Sequence, residues 1–145
     1  MTDKQKISIT LESGIPESNL ALGKTANVSV KVDKSNTANA MRSGTLPVFA
    51  TPSMIALMEH AACECLADCL GAGQTSVGSS ISVEHTAASP LGAEVTAAAS
   101  IDSVSGRKIE FAVTASDNSG EIGKGKHTRI IIDKDRFMKK AEARK

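Results

Sequence analysis

The segment over residues 51–73 constrains the fold more than any other part of the chain. It is apolar on almost every side, and one polar stripe runs along it at a spacing of four residues, formed by His60, Glu64 and Asp68. A helix with so little polar surface must be covered by other elements on most of its sides. The rest of the chain is therefore expected to wrap around it.

The ends of this helix carry the usual signals. Thr51 is predicted as the N-cap, Pro52 as the first helical residue, and Gly71 and Gly73 lie beyond the last turn. Proline at the start and glycine past the end match the asymmetry of helix termini. The pattern predicts a helix over residues 53–70.

Segments on both sides of the helix alternate apolar and polar residues, as in Ile7, Ile9 and Leu11. A period of two is typical of half-buried strands. The polar residues 33–44 are predicted as a loop, in which a weak signal leaves room for a short helix. The predicted strands fall at residues 6–12, 26–32, 76–87, 93–104, 107–117 and 121–132.

The order of two strands, one long helix and four strands predicts an α+β fold. In it, an antiparallel sheet wraps around one central helix. With 145 residues, the chain is predicted to form a single domain over residues 1–145. The basic segment from Lys134 to Lys145 is predicted to be a solvated tail or helix. Such a sheet has two edges, and edge-to-edge pairing in a homodimer would cover part of them.

Composition narrows the class of function. The formal net charge of +1 gives no electrostatic sign of binding to nucleic acid or an anionic membrane. No apolar run approaches the roughly 20 residues that a membrane-spanning helix needs. The polar start, residues 1–6, lacks the apolar stretch of a secretory signal. A cytoplasmic location is the resulting expectation.

Three cysteines, Cys63, Cys65 and Cys69, lie on the apolar helix. An odd number on one helix does not suit a disulfide framework, and a metal site would need His60 as a further ligand. We therefore predict small buried side chains and no metal site.

Glu59 is the most informative polar residue, because its helical neighbours at minus four, plus three, plus four and plus seven are apolar. A buried carboxylate there would have a raised pKa and could act as a general base near neutral pH. Alternatively, Glu59 lies at the rim of the polar stripe and is solvated. His85 falls on the apolar face of its strand, either as a core residue or as an acid/base partner of Glu59.

Three further residues have a structural and a functional interpretation. Thr51 either caps the helix or presents its hydroxyl at the positive helix end, where an oxyanion or thioester carbonyl would be stabilised. Gly78 marks either a strand bulge or a close approach of substrate to the backbone. Arg129 is either an exposed strand charge or part of a site.

Several stretches, taken together and in order, resemble the fluoroacetyl-CoA thioesterase family over roughly residues 46–137. The resemblance implies a hot-dog fold that forms dimers, with the active site near the subunit interface. It implies catalytic roles for Thr51, Glu59 and His85, and substrate-binding roles for Gly78 and Arg129. The stretches are Phe49–Thr51, Leu57–Glu59, Ala61–Cys63, Ser76–Gly78, Glu84–Pro90 and Glu121–Arg129.

The chain departs from the family in the lid that precedes the catalytic threonine. The stretch Thr45–Val48 is one residue shorter, and Leu46 stands where the fluoroacetyl-specific enzyme has an aromatic residue. Leu46 and Phe49 are the predicted substrate-binding residues of this region. The resemblance predicts an acyl-CoA thioesterase for a short acyl group, without the fluoroacetyl selectivity. Coenzyme A would be part of the substrate, with no separate cofactor.

The catalytic route is left open by the sequence. Thr51 could attack the thioester and form an acyl-enzyme, or Glu59 or His85 could activate water directly. Eight helical residues separate Thr51 from Glu59, about 12 Å along the axis, so the set would need a curled loop or a second subunit. A non-catalytic acyl-CoA-binding hot-dog protein and an enoyl-CoA hydratase are the alternative functions.

Overall fold

The computed structural model describes residues 20–145, and the strand predicted at residues 6–12 lies outside this range. The described part is an α+β domain, as the sequence predicts. Its strands are β1 (Thr25–Lys31), β2 (Gln74–His85), β3 (Glu94–Ser105), β4 (Lys108–Asp117) and β5 (Gly120–Asp133), and its helices are α1 (Ala38–Met41), α2 (Thr51–Leu66) and α3 (Lys134–Glu142).

All five strands belong to one antiparallel sheet with the order β1-β3-β4-β5-β2. Tight turns join β3 to β4 and β4 to β5, and Gly106 and Gly120 supply the positive φ angles of these turns. Within residues 20–145, β1 and β2 are the two edges of the sheet. The edge position of β2 matters because this strand carries both Gly78 and His85.

Helix α2 covers the inner face of the sheet, as its apolar sequence predicts. Its side chains at Met54, Met58, Ala61 and Ala62 are fully buried against the sheet. Five buried alanines let helix and sheet approach closely in a chain with 2% aromatic residues: Ala61 and Ala62 on the helix, and Ala97, Ala99 and Ala115 on the sheet. The predicted inward positions of β3 and β4 are confirmed: Val95, Ala97, Ala99, Ile101, Ile109, Phe111, Val113 and Ala115 are all buried.

The start of α2 corrects one prediction. Ala50, not Thr51, is the N-cap residue, because its backbone is extended and its carbonyl accepts the first helical hydrogen bond from Met54 N at 2.9 Å. Thr51 is the first helical residue, and its hydroxyl bonds His85 instead of the helix backbone. The helix ends at Leu66, four residues before the predicted end, and continues as a turn.

The loop predicted at residues 33–44 contains the one-turn helix α1. Its N-cap residue, Thr37, accepts a hydrogen bond from Ala40 N through its side chain. The basic C-terminal segment forms α3, which has no buried residue. Within residues 20–145, no helix combines the length and the apolar character needed to cross a bilayer.

Candidate active site

Thr51 and His85 meet where the first turn of α2 passes the end of β2. Thr51 Oγ1 lies 2.8 Å from His85 Nδ1, so hydroxyl and imidazole share one hydrogen bond. Burial lowers the pKa of His85 below its ordinary value, and the Ala87 backbone offsets part of that effect. A neutral imidazole bonded to a hydroxyl can remove the hydroxyl proton during a nucleophilic attack.

An open cavity of about 290 Å³ adjoins this pair. Thr51 and His85 line it together with the apolar side chains of Ala38, Val48 and Phe49. Phe49 is 2% exposed and belongs to the core as well as to the cavity wall. Leu46 is 63% exposed on the preceding loop. Of the two residues predicted to bind substrate in this region, Phe49 therefore borders the cavity, and Leu46 faces solvent.

Glu59 belongs to a second group, formed where α2 faces the junction of β2 and β5. Its side chain is 40% exposed, and its Oε2 lies 3.6 Å from Arg129 Nη1 and 4.0 Å from His127 Nε2. The carboxylate is therefore neither fully buried nor simply solvated. It faces Arg129, whose side chain is only 8% exposed, which rules out an exposed strand charge at that position.

Gly78 completes this second group. It pairs with Arg129 across the sheet, just before a bulge that shifts the register between Gly78 and Ser80. A Cβ atom on Gly78 would lie 2.7 Å from Glu59 Oε2 and 3.2 Å from His127 Cε1. The bulge interpretation of Gly78 is therefore confirmed, and the missing side chain also gives the Glu59 carboxylate its space. The approach of substrate to this backbone stays a prediction.

Ser76 and His127 are members of this group that sequence reasoning did not identify. Arg129 Nε donates to Ser76 Oγ at 2.8 Å, and Nη2 donates to the Ser76 carbonyl at 3.0 Å. His127 lies two residues before Arg129, so the two side chains share the inner face of β5. The two-residue spacing is therefore the sequence signal that could have identified His127. The role of Ser76 has no such signal, because it depends on the pairing of β2 with β5.

The structure thus divides the candidate site residues into two groups. Thr51 and His85 form the hydroxyl–imidazole pair, and the Glu59 group consists of Glu59, Ser76, Gly78, His127 and Arg129. Along α2, Thr51 and Glu59 are separated by about 12 Å of helix rise. On β2, six residues lie between Gly78 and His85.

The cysteines lie apart from these contacts. Cys65 on α2 and Cys69 in the turn after it are buried in the core, and Cys63 is half-buried. Burial raises the pKa of the Cys69 thiol to about 11, which keeps it protonated. Within residues 20–145, no three His, Cys, Asp or Glu side chains are grouped so that they could hold a metal ion.

Comparison with known proteins identifies the family. The model of the fluoroacetyl-CoA-specific thioesterase family matches residues 32–135. The chain belongs to this family. The fluoroacetyl-CoA thioesterase of Streptantibioticus cattleyicolor is 44% identical over 93 residues, which cover 64% of this chain and 67% of that protein.

Two solved structures are similar to this chain, one from the same family and one that shares the fold. One is a mutant of the fluoroacetyl-CoA-specific thioesterase in complex with fluoroacetate and CoA, which is 35% identical with a TM-score of 0.76 over 80% of this chain and 98% of that one. The other is a hot-dog-like protein from Thermanaerovibrio acidaminovorans, 28% identical with a TM-score of 0.78 over 85% and 91% of the two chains. The predicted hot-dog fold and acyl-CoA thioesterase activity are confirmed by these relatives.

Proposed function

We propose that this thioesterase hydrolyses short acyl thioesters of CoA in a site that two subunits build together. The hydrogen bond between Thr51 and His85 carries this proposal, because it presents an activated hydroxyl beside a small cavity. The solved relative that holds fluoroacetate and CoA supports a small acyl group on CoA as the substrate class. Exposed Leu46 offers no enclosed aromatic wall for a fluoroacetyl group, so we propose no selectivity for fluorine.

In the proposed reaction, Thr51 Oγ1 attacks the thioester carbonyl carbon while His85 Nδ1 takes the hydroxyl proton. The carbon–sulfur bond then breaks, and the proton passes from His85 to the departing sulfur, giving free CoA. Water attacks the acyl ester on Thr51 with Glu59 as general base. The carbon–oxygen bond to Thr51 breaks, Glu59 passes the proton taken from water to Thr51 Oγ1, and the acid product leaves as a carboxylate after losing its remaining proton to solvent.

Glu59 would have to come from another subunit, because about 12 Å of helix rise separates it from Thr51 in the same chain. Strand β2 is an edge of the sheet within residues 20–145, so a second copy can pair with it. A two-fold axis perpendicular to the sheet near the middle of β2 would bring the Gly78 end of one antiparallel strand toward the His85 end of the other. The Glu59 group of each subunit would then adjoin the Thr51–His85 pair of its neighbour.

Release of free thiol from acetyl-, fluoroacetyl-, propionyl- and crotonyl-CoA tests the function, with the Glu59→Gln protein as a matched control. We expect release from the short acyl esters, and a loss of at least about 100-fold in the variant, the usual contribution of a general base. Equal turnover of the variant would reject Glu59 as the base. Binding of the esters without thiol release would point to a binding protein, and crotonyl-CoA consumption without thiol release to a hydratase.

Rapid chemical quench during turnover tests the covalent step. We expect an acyl group on Thr51, found by mass spectrometry of the digested protein. Turnover without any acylated Thr51, even with a slowly hydrolysed ester, would favour direct attack by water.

A further inference from the structure

His127 is a buried imidazole that the proposed reaction does not use. It is 2% exposed, lies on the inner face of β5 and stacks on Phe111 of β4, with ring centroids 6.2 Å apart. Its Nδ1 lies 2.8 Å from the Ser80 carbonyl oxygen, and its Nε2 lies 3.2 Å from Arg129 Nη1. Both ring nitrogens therefore have a defined partner.

These two partners determine the protonation state of the ring. A carbonyl oxygen only accepts hydrogen bonds, so Nδ1 must carry the proton that it donates to Ser80. A guanidinium only donates, so Nε2 must be unprotonated to accept from Arg129. The neutral tautomer with a proton on Nδ1 satisfies both contacts, whereas the imidazolium would turn a donor toward Arg129.

The bulge in β2 shapes the first of these contacts. The register shifts between Gly78, which pairs with Arg129, and Ser80, which pairs with Thr128. Bulges re-aim backbone and side chains beside functional sites. Here the bulge lies beside the Glu59 carboxylate, and the Ser80 carbonyl that follows it holds His127.

The guanidinium of Arg129 is held on three sides. Its Nε and Nη2 donate to the side chain and carbonyl of Ser76, and its Nη1 donates to His127 Nε2. The same Nη1 lies 3.6 Å from Glu59 Oε2. The atom that faces the proposed general base is therefore the one that His127 fixes.

We propose that His127 is a positioning residue, whose neutral ring holds Arg129 Nη1 against Glu59. The inference rests on the proposed function of Glu59. His127 acts through Arg129 and does not itself touch the substrate.

Protonation of His127 would undo this arrangement. It would remove the acceptor for Arg129 Nη1, add a like charge beside it, and give Glu59 a second cation 4.0 Å away. Arg129 from β5 and Glu59 from α2 are the charged groups that face the ring, while Phe111 from β4 is uncharged. Burial lowers the pKa of His127, with Ser80 opposing and Arg129 adding to the effect, which favours the neutral ring.

Two substitutions separate the two contacts of the ring. In His127→Gln the side-chain amide reaches the place of Nε2 and can still accept from Arg129, but it does not titrate. In His127→Asn the shorter amide keeps a donor for Ser80 and no longer reaches Arg129. His60→Asn is the matched control, because His60 is exposed and its ion pair is with Glu64.

We expect His127→Asn to lower kcat by about 10- to 100-fold with KM changed by less than about threefold, the effect of one lost hydrogen bond to a charged group. His127→Gln should keep kcat within about threefold of the wild type. In its pH–activity profile, the part of the fall at low pH that comes from protonation of His127 should be absent. In an Arg129→Ala background, His127→Asn should have almost no further effect, because the residues act as a unit. Equal losses in both variants, or additive losses with Arg129→Ala, would overturn the proposal.

Nitrogen NMR of the wild-type histidine rings at neutral pH gives a readout that does not depend on turnover. We expect His127 as a neutral ring with its proton on Nδ1, and a changed Nε2 signal in Arg129→Ala. A proton on Nε2, or a charged ring at neutral pH, would overturn the inference. If the wild type released no thiol, the proposed function would fail, and the NMR spectrum would still decide the arrangement of His127.

Discussion

The two groups of polar residues along α2 differ in the way the fold builds them. The Thr51–His85 pair lies at the N-terminal end of the helix, is uncharged when the His85 ring is neutral, and is joined by one hydrogen bond. The Glu59 group lies beneath the middle of the helix, contains a buried guanidinium, and is held by contacts from β2, β5 and α2.

This difference is consistent with the separate roles proposed above for the two groups. A hydroxyl–imidazole pair beside an open cavity suits a nucleophile, which must reach the substrate. A carboxylate held by a buried charge suits a base whose position must stay fixed while water reacts. Neither group alone contains both the proposed nucleophile and the proposed base for water. The predictions below test whether both groups are needed and how they are combined.

The largest expected effect comes from disabling each group and then mixing the products. Thr51→Ala and Glu59→Gln should each lose at least about 100-fold in kcat. If each site takes one group from each subunit, a mixture allowed to exchange subunits should regain about one quarter of wild-type activity, because half the dimers then hold one intact site.

The matched control mixes Thr51→Ala with His85→Ala, which belong to the same group. Each site in that heterodimer keeps a lesion, so no activity should return. If the Thr51→Ala and Glu59→Gln mixture also stayed inactive although subunit exchange was demonstrated, the site would lie within one subunit.

Gly78→Ala should disturb the Glu59 group and leave the Thr51–His85 pair intact. The added Cβ would lie 2.7 Å from Glu59 Oε2, so the flexible carboxylate must move away. We expect kcat to fall by about 10- to 100-fold, with the melting temperature changed by less than about 4 °C. Ser79→Ala, one residue along the same strand, is the control. Wild-type kcat in Gly78→Ala would show that the position of the carboxylate is not critical.

The pH dependence of kcat/KM should report the Thr51–His85 pair. Burial lowers the pKa of His85 below 6.5, and the proposed reaction uses the neutral ring. Activity should therefore fall as the pH drops through the lowered pKa and level off at pH values well above it. The His127→Gln variant removes the contribution of His127 from this limb. An acid limb centred above the ordinary histidine value would contradict the prediction.

The same shift links His85 to stability. Since its folded pKa is lowered, its contribution is fully present above the unfolded value and is lost as the pH falls toward the folded one. Chemical denaturation at several pH values, compared with His85→Asn, measures this contribution.

The smallest expected effect is at the loop that precedes Thr51. Leu46→Ala should change kcat/KM for acetyl-CoA by less than about twofold, because its side chain is 63% exposed. Phe49→Ala, from the buried cavity wall, should lower the free energy of unfolding by about 3–5 kcal/mol. A large change in acyl selectivity in Leu46→Ala would show that this loop closes over the substrate.

Much of this protein follows from its sequence. The apolar helix requires a cover, and the strands around it alternate with period two, so the α+β architecture and the inward residues Val95, Ala97 and Phe111 are predictable. Local patterns suffice there because they report which face of an element is buried. The predicted end of α2 was four residues too late, since Cys69 in the turn and Leu70 after it keep the apolar pattern after the helix has stopped.

The site depends on the tertiary structure. Helical spacing marks Glu59 as unusual, but only the packing of α2 over β2 and β5 gives it Arg129 as a partner. The hydroxyl of Thr51 could either cap the helix or bond an imidazole. It bonds His85 because the end of β2 brings that ring to a distance of 2.8 Å. A hydrogen bond between residues far apart in sequence depends on distances that no local pattern encodes, and these distances are set when the sheet closes around the helix.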